Sequence, residues 1–195
     1  MSRRVAVALM AVLLAGCTAS PAAPSTVDTP GAASGGLGNT DVMFLQMILP
    51  HHRQGVELAG LGRAKGGRAE LVQLAAAIEA TQRDEVELMA GILADSGAPA
   101  SAPAPPGGPD PHAAHGGLPG TGEQQVAALR ASTGTEFERR FLNTMMAHQG
   151  DAIALAKMEL ASGADPRLVD LAGRIERSRT AQIEQMQRLL DATPR

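Results

Sequence analysis

The sequence predicts an all-α protein, a four-helix bundle built from two copies of one helical hairpin, and three observations predict it. Residues 41–93 and 138–190 align without a gap at a shift of 97, pairing Phe44-Leu45 with Phe141-Leu142, Leu58-Ala59 with Leu155-Ala156, and Ile78-Glu79 with Ile175-Glu176. Within each copy the apolar residues recur at three- and four-residue steps, the period of one helix face. No segment alternates apolar and polar residues for long enough to make a strand.

The elements follow in order. Phe44, Met47/Ile48, His51, Gly55 and Leu58 mark the inner face of a first helix, with Arg53, Gln54 and Glu57 on the other side. Pro50 removes a backbone donor inside that pattern, and is expected to kink the helix or start a new one. Lys65-Gly66-Gly67-Arg68 ends it. A second helix over about 69–93 carries Leu71, Leu74/Ala75, Ile78, Val86, Met89 and Ile92/Leu93 on one stripe. Thr121-x-x-Gln124 reads as a capping box for a short lead-in helix over about 123–132, and Thr135-x-x-Glu138 as another opening the third long helix. Ser162-Gly163 closes that helix, and Asp165-Pro166 supplies an N-cap with proline at the first helical position. A hairpin alone cannot bury both its stripes, so the two copies are expected to pack on each other about a pseudo-twofold axis.

The domain organisation is therefore a leader over 1–16, a tether over 17–38, a first hairpin over 39–94, a Pro/Gly-rich crossover over 95–121 and a second hairpin over 122–195. Arg3 and Arg4 precede an apolar run, Val5 to Ala15, too short to span a bilayer. The run ends in Leu14-Ala15-Gly16-Cys17, which has the form of a bacterial lipobox, so Cys17 is expected to be lipidated and to anchor an exported protein to the envelope membrane. It is the sole cysteine, so no intrachain disulfide can form. Removal of the leader takes the formal charge from −3 to −5. A mildly acidic chain with no Trp, no Tyr and three Phe argues against nucleic-acid binding.

Most positions matched by the repeat are core-type residues. His51 and His148 are the exception, imidazoles kept at the same apolar address in both copies. Met43, Met47 and His51 step by four along one face, with His52 adjacent, and Met145 and His148 lie three apart. Thioether and imidazole together suit copper, Cu(I) above all, because soft donors discriminate against magnesium, calcium and manganese. The alternative is that methionine fills the core without any metal and the histidines serve packing. Gln82, Glu85 and Met89 lie on the paired helix, where they are expected to orient His51 or His52 through the second ring nitrogen. Arg179, Gln182 and Met186 replace them in the second copy, and Gln149 replaces His52, so the first half carries the fuller set. His112-x-x-His115 in the crossover offers an accessory pair, too few ligands for a defined site. Motifs for di-iron, zinc-protease, serine-hydrolase and P-loop chemistry are missing, so catalysis is not expected.

The stretches Phe44-Leu45-x-Met47-Ile48-x-x-His51-His52 and Phe141-Leu142-x-x-Met145-Met146-Ala147-His148 resemble the domain of unknown function 305 family. The resemblance continues through Ala59 and Ala156, Leu74-Ala75 and Leu171-Ala172, and Gln82-x-x-Glu85-x-x-x-Met89. It implies a ferritin-like helical bundle, usually exported, with members linked to copper through His and Met. The family's paired histidine is intact only at His51-His52. Two functions stand side by side at this point: a lipid-anchored protein that sequesters or hands on copper, and a metal-free helical scaffold.

Overall fold

A computed structural model describes residues 36–101 and 120–194. Five helices and no strand are found among them: α1 (Asn39–Lys65), α2 (Ala69–Ser96), α3 (Glu123–Ala131), α4 (Gly134–Ser162) and α5 (Pro166–Asp191). Among these residues no helix is long and apolar enough to cross a membrane. Cys17, His112 and His115 lie outside the described residues.

The helices pair as the repeat requires. α1 packs against α2, α4 against α5, and the hairpins meet through α1 and α4, while α2 and α5 barely touch. Their apolar stripes close two separate clusters. One gathers Phe44, Leu45 and Ile48 with Met89, Ile92 and Leu93, and with Leu155, Leu168, Leu171 and Ile175 of the second hairpin. The other gathers Leu58, Leu71, Leu74 and Ile78 with Phe137, Phe141, Leu142 and Met186. α3 adds Leu129 to the second cluster, and the Lys65 ammonium caps its C-terminal end by donating to the carbonyls of Arg130 and Ser132. Gly62 lets α1 approach α4: a Cβ there would lie 2.9 Å from Phe141 Cε1 and closer still to the rest of that ring edge.

α1 runs unbroken through Pro50, which is exposed. No new helix starts there, and the proline, on the outer face, removes one backbone hydrogen bond from α1.

The helix ends differ from expectation in an informative way. α4 begins at Gly134 behind an extended Thr133, so Thr135 is already helical and makes no capping box with Glu138. The Glu138 carboxylate turns across the bundle instead. It accepts from the backbone amides of Gly67 and Arg68 and from the Arg68 guanidinium, closing the start of α2. Its repeat mate Asp41 does the same at the opposite end, accepting from the amides of Gly38, Ala164 and Asp165. Each hairpin thus contributes one buried carboxylate that ties its own first helix to the turn of the other hairpin. The α3 start is shifted too, with Gly122 as N-cap and Gln125 accepting from its amide. Asp165 caps α5 as expected, accepting from the Arg167 amide with Pro166 first in the helix.

Near Asp41 lies Glu159, fully buried, with neither carboxyl oxygen bonded among the described residues. Burial and then the neighbouring Asp41 carboxylate push Glu159 up to about 8. For Asp41 burial pulls upward but is outweighed by the amides of Asp165 and Ala164, then the Glu159 side chain and the Gly38 amide, so its value falls below the usual one. Glu159 has a raised folded pKa, so its contribution to stability is whole below its unfolded value of 4.5 and is lost as pH rises through about 8. Asp41 contributes in the opposite sense, its stabilisation present above 3.8 and lost only in acid. The expected result is a melting temperature that declines between pH 5 and pH 9. Glu159→Gln should flatten that decline, and an unchanged slope in this variant would refute the assignment.

Candidate metal centre

Between the two apolar clusters lies a polar layer, one helical step deep in each long helix. Along α1 the residues change from Ile48 and Leu49 of one cluster to His51, His52 and Gly55, then to Leu58 of the other. Along α2 they change from Ile78 to Gln82 and Glu85, then to Met89. α4 contributes His148 and Gln149 between Met145 and Ala152, and α5 contributes Arg179 and Gln182 between Ile175 and Met186. His51, His52, His148, Gln149, Gln82 and Arg179 are each 2 % exposed or less.

The layer is organised by the repeat. His51 and His148, equivalent at the shift of 97, stack with ring centroids 3.8 Å apart and planes inclined by 11°. Two polar triads flank them, and each position in one has its repeat mate in the other. In the first, His52 Nε2 lies 2.9 Å from Glu85 Oε2, and the Arg179 guanidinium binds the same oxygen while lying 3.3 Å from His52 Nε2. In the second, Gln82 donates to Gln149 at 3.1 Å and Gln149 donates to Gln182. Gln149 stands for His52, Gln182 for Glu85 and Gln82 for Arg179. One triad is ionic and the other is a chain of neutral amides.

Glycine makes room for this. A Cβ on Gly55 would lie 2.8 Å from His148 Nε2 and would overlap the Gln82 amide oxygen. On the His148 side, Thr121 closes over the ring with its hydroxyl 3.4 Å from Nδ1. Gln54 holds Thr121 in place by donating to its carbonyl at 2.8 Å and accepting from its amide at 2.7 Å. On the opposite side, Glu85 reaches a surface depression lined by Thr81, Asp84, Leu88, Arg174 and Ser178.

The electrostatics keep the imidazoles neutral. Burial, then repulsion from His148 and His52, lowers His51 to about 2. Burial and then His52 lower His148 to about 4. Burial also lowers His52, against the opposing pull of Glu85. For Glu85 burial pulls upward but is outweighed by the His52 hydrogen bond and the Arg179 charge, so it stays ionised. An ionised carboxylate only accepts, so His52 carries its proton on Nε2 and leaves the Nδ1 lone pair free.

The free valences concentrate here. Among the described residues, both nitrogens of His51, His52 Nδ1, His148 Nε2, Gln82 Oε1 and Arg179 Nε are buried without a hydrogen-bond partner. An unmade bond of this kind costs about 1–3 kcal/mol, and six in one layer is a cost that packing does not explain. Three neutral imidazoles, each with a buried nitrogen that has no partner, are a donor set suited to a soft or borderline metal ion. They are not a ready-made cage, since among the described residues no three His, Cys, Asp or Glu side chains converge as a metal-binding group.

The sequence-based candidates divide accordingly. His51, His52, His148, Gln82 and Glu85 come together in the layer. Met47, Met43 and Met89 pack with the first apolar cluster and Met145 with the second. Arg179, Gln149, Gln182 and Thr121 belong to the site although sequence reasoning did not place them there. The available signal was Arg179, a permanent cation in register with a core stripe.

A bundle of two repeated helical hairpins, with an imidazole layer buried at its middle, is the class of molecule that fold and site define. The chain belongs to the DUF305 family (domain of unknown function), whose model matches residues 41–190. No curated protein matches it. Among solved structures it is similar to a DUF305 fragment from Deinococcus radiodurans, at 28 % identity over 81 % of this chain and 99 % of that one, with a TM-score of 0.68. It is also similar to a DUF305 protein from Streptomyces coelicolor, at 24 % identity over 79 % and 93 % of the two chains and a TM-score of 0.72. CopM in its Cu(I)-bound form shares the fold at 23 % identity over 78 % and 96 % of the two chains, with a TM-score of 0.59.

Proposed function

We propose that this protein is an exported, lipid-anchored copper-binding protein of the bacterial envelope that holds Cu(I) in the buried histidine layer, for sequestration or hand-off and not for catalysis. The observation that carries the reading is the set of unpartnered imidazole nitrogens on His51, His52 and His148. The family fold supports it, because CopM, a protein of this fold, has Cu(I)-bound, Cu(II)-bound and silver-bound forms. Export is supported by the leader ending at Cys17 and by the description of the Streptomyces coelicolor relative as a candidate secreted protein.

His51, His148 and His52 Nδ1 would hold the ion, and Glu85 would fix the His52 tautomer from behind, as carboxylates do for metal-bound imidazoles. His148 lies against His51 at the equivalent place of the other hairpin, so it is given the same weight as His51 here, more than the spacing of the second copy suggested; the two rings would have to turn out of their stack to face one ion. Bound copper would supply the Lewis acidity that satisfies these lone pairs. Met47 and Met145 border the layer one turn away and serve as auxiliary soft donors.

The test is competitive titration of the soluble domain, residues 36–195, against a Cu(I) chelator, with Zn(II) and Mg(II) in parallel. Tight Cu(I) binding at one ion per chain, with Mg(II) not bound, is expected; failure of Cu(I) to bind sinks the reading. For the anchor, Cys17→Ala in the full chain is expected to abolish partitioning into the detergent phase, and unchanged partitioning would remove the lipid from the account.

A further inference from the structure

We propose that Arg179 sets the charge selectivity of the histidine layer, making it a site for soft monovalent cations, Cu(I) and Ag(I), against divalent ones. This rests on the copper reading above and assigns a role to a residue that holds no metal itself. The guanidinium is fully buried, binds Glu85 and lies 3.3 Å from His52 Nε2. It is a permanent charge with no acceptor capacity, so its influence on a nearby cation is electrostatic alone.

The charges within the layer amount to Arg179 and Glu85, which cancel, while the three imidazoles and the amide triad are neutral. Glu85 has an outlet to the surface depression, its side chain being 11 % exposed, whereas the Arg179 side chain has none. Solvent therefore screens the carboxylate more than the guanidinium, and the residual field in the layer is positive. A second unit of charge on the ion is penalised twice, by desolvation and by that field. The repeat supplies the control: at the equivalent place in the other hairpin the residue is Gln82, a neutral amide bonded to Gln149. A purely structural need for a donor there is met by glutamine, and the arginine adds charge.

Arg179→Gln, which copies the repeat mate, is expected to raise Cu(II) affinity relative to Cu(I) by roughly tenfold to a hundredfold, from Coulomb interaction at an intermediate dielectric. Each factor of ten appears as a fall of about 59 mV in the potential of the bound one-electron couple. Glu85→Gln leaves the guanidinium unopposed and is expected to shift the ratio the other way, and Arg179→Lys, keeping the charge, to hold it near the wild-type ratio. Measurements are paired chelator competitions for Cu(I), Ag(I), Cu(II) and Zn(II), and the Cu(II)/Cu(I) potential, on variants first checked for helical content and melting. Should Arg179→Gln not fold, the opposite shift in Glu85→Gln and the retained ratio in Arg179→Lys decide the matter. Copper binding with an unchanged ratio in every variant that folds would overturn the selectivity role while leaving the copper site standing. If the wild type itself binds no copper, the site and this inference fall together.

Discussion

Replacing both stacked histidines by leucine, His51→Leu with His148→Leu, is expected to leave the metal-free protein at least as stable as the wild type while removing its tight copper binding. The two effects have one cause. Leucine is close to histidine in volume, so no large cavity opens, and the layer already lies between the apolar clusters of Leu45, Ile48 and Met89 on one side and Leu58, Ile78 and Phe141 on the other. Three of the buried atoms without partners belong to these two rings, and each costs about 1–3 kcal/mol. Removing them offsets whatever the ring stack contributes, about 0.5–1.5 kcal/mol for an aromatic pair. Copper affinity is expected to drop by more than the 10- to 100-fold that loss of an outer-shell partner costs, because the donors themselves are gone. A scaffold whose histidines serve packing gives the reverse: clear destabilisation, with no copper affinity to lose. Urea unfolding and Cu(I) competition on the same variant separate the two.

The second large effect is at Arg179. Arg179→Met is expected to cost about 3–5 kcal/mol, the usual penalty for stranding one partner of a buried ion pair. The exposed pair Arg140–Glu136, with both side chains about half exposed, is worth under about 1 kcal/mol by the same kind of measurement. The difference is solvent: Arg179 is wholly enclosed and Glu85 nearly so, so water cannot replace the lost partner. In urea the midpoint should fall by roughly 1–3 M. Adding Glu85→Leu should recover much of the loss, since an apolar replacement of the whole pair leaves no buried charge. If Arg179→Met unfolds at the wild-type midpoint, the ionic triad is not the constraint described.

These expectations rest on parts of the molecule that differed in how readable they were. The four long helices were visible because burial imposes a 3.6-residue period on Leu, Ile, Phe and Ala, and because the shift of 97 doubled the signal. His51 and His148 were visible as polar residues at apolar addresses. Gln149 and Gln182 were not, because glutamine on a helix is equally at home in solvent, and its hydrogen-bond partner here comes from another helix. The repeat makes Arg179 the second-copy counterpart of Gln82, yet it serves the first hairpin's Glu85 across the bundle. Glu138 was read through the local capping rule, but a buried carboxylate is drawn to whichever unsatisfied amides lie nearest in space, and those belong to Gly67 and Arg68. Met47 shares a face with His51 and sits one helical turn along the axis, in the apolar cluster that borders the polar layer.

The central claim is that copper enters the layer between the two apolar clusters. Anomalous diffraction at the copper edge, from crystals of the Cu(I)-loaded domain, tests it most directly. The expected result is a single strong peak in that layer with nitrogens of at least two of His51, His52 and His148 as ligands, and with Glu85 still bonded to His52 Nε2. A peak confined to the surface or to the crossover around His112 and His115, with the His51–His148 stack undisturbed and metal-free, would contradict it.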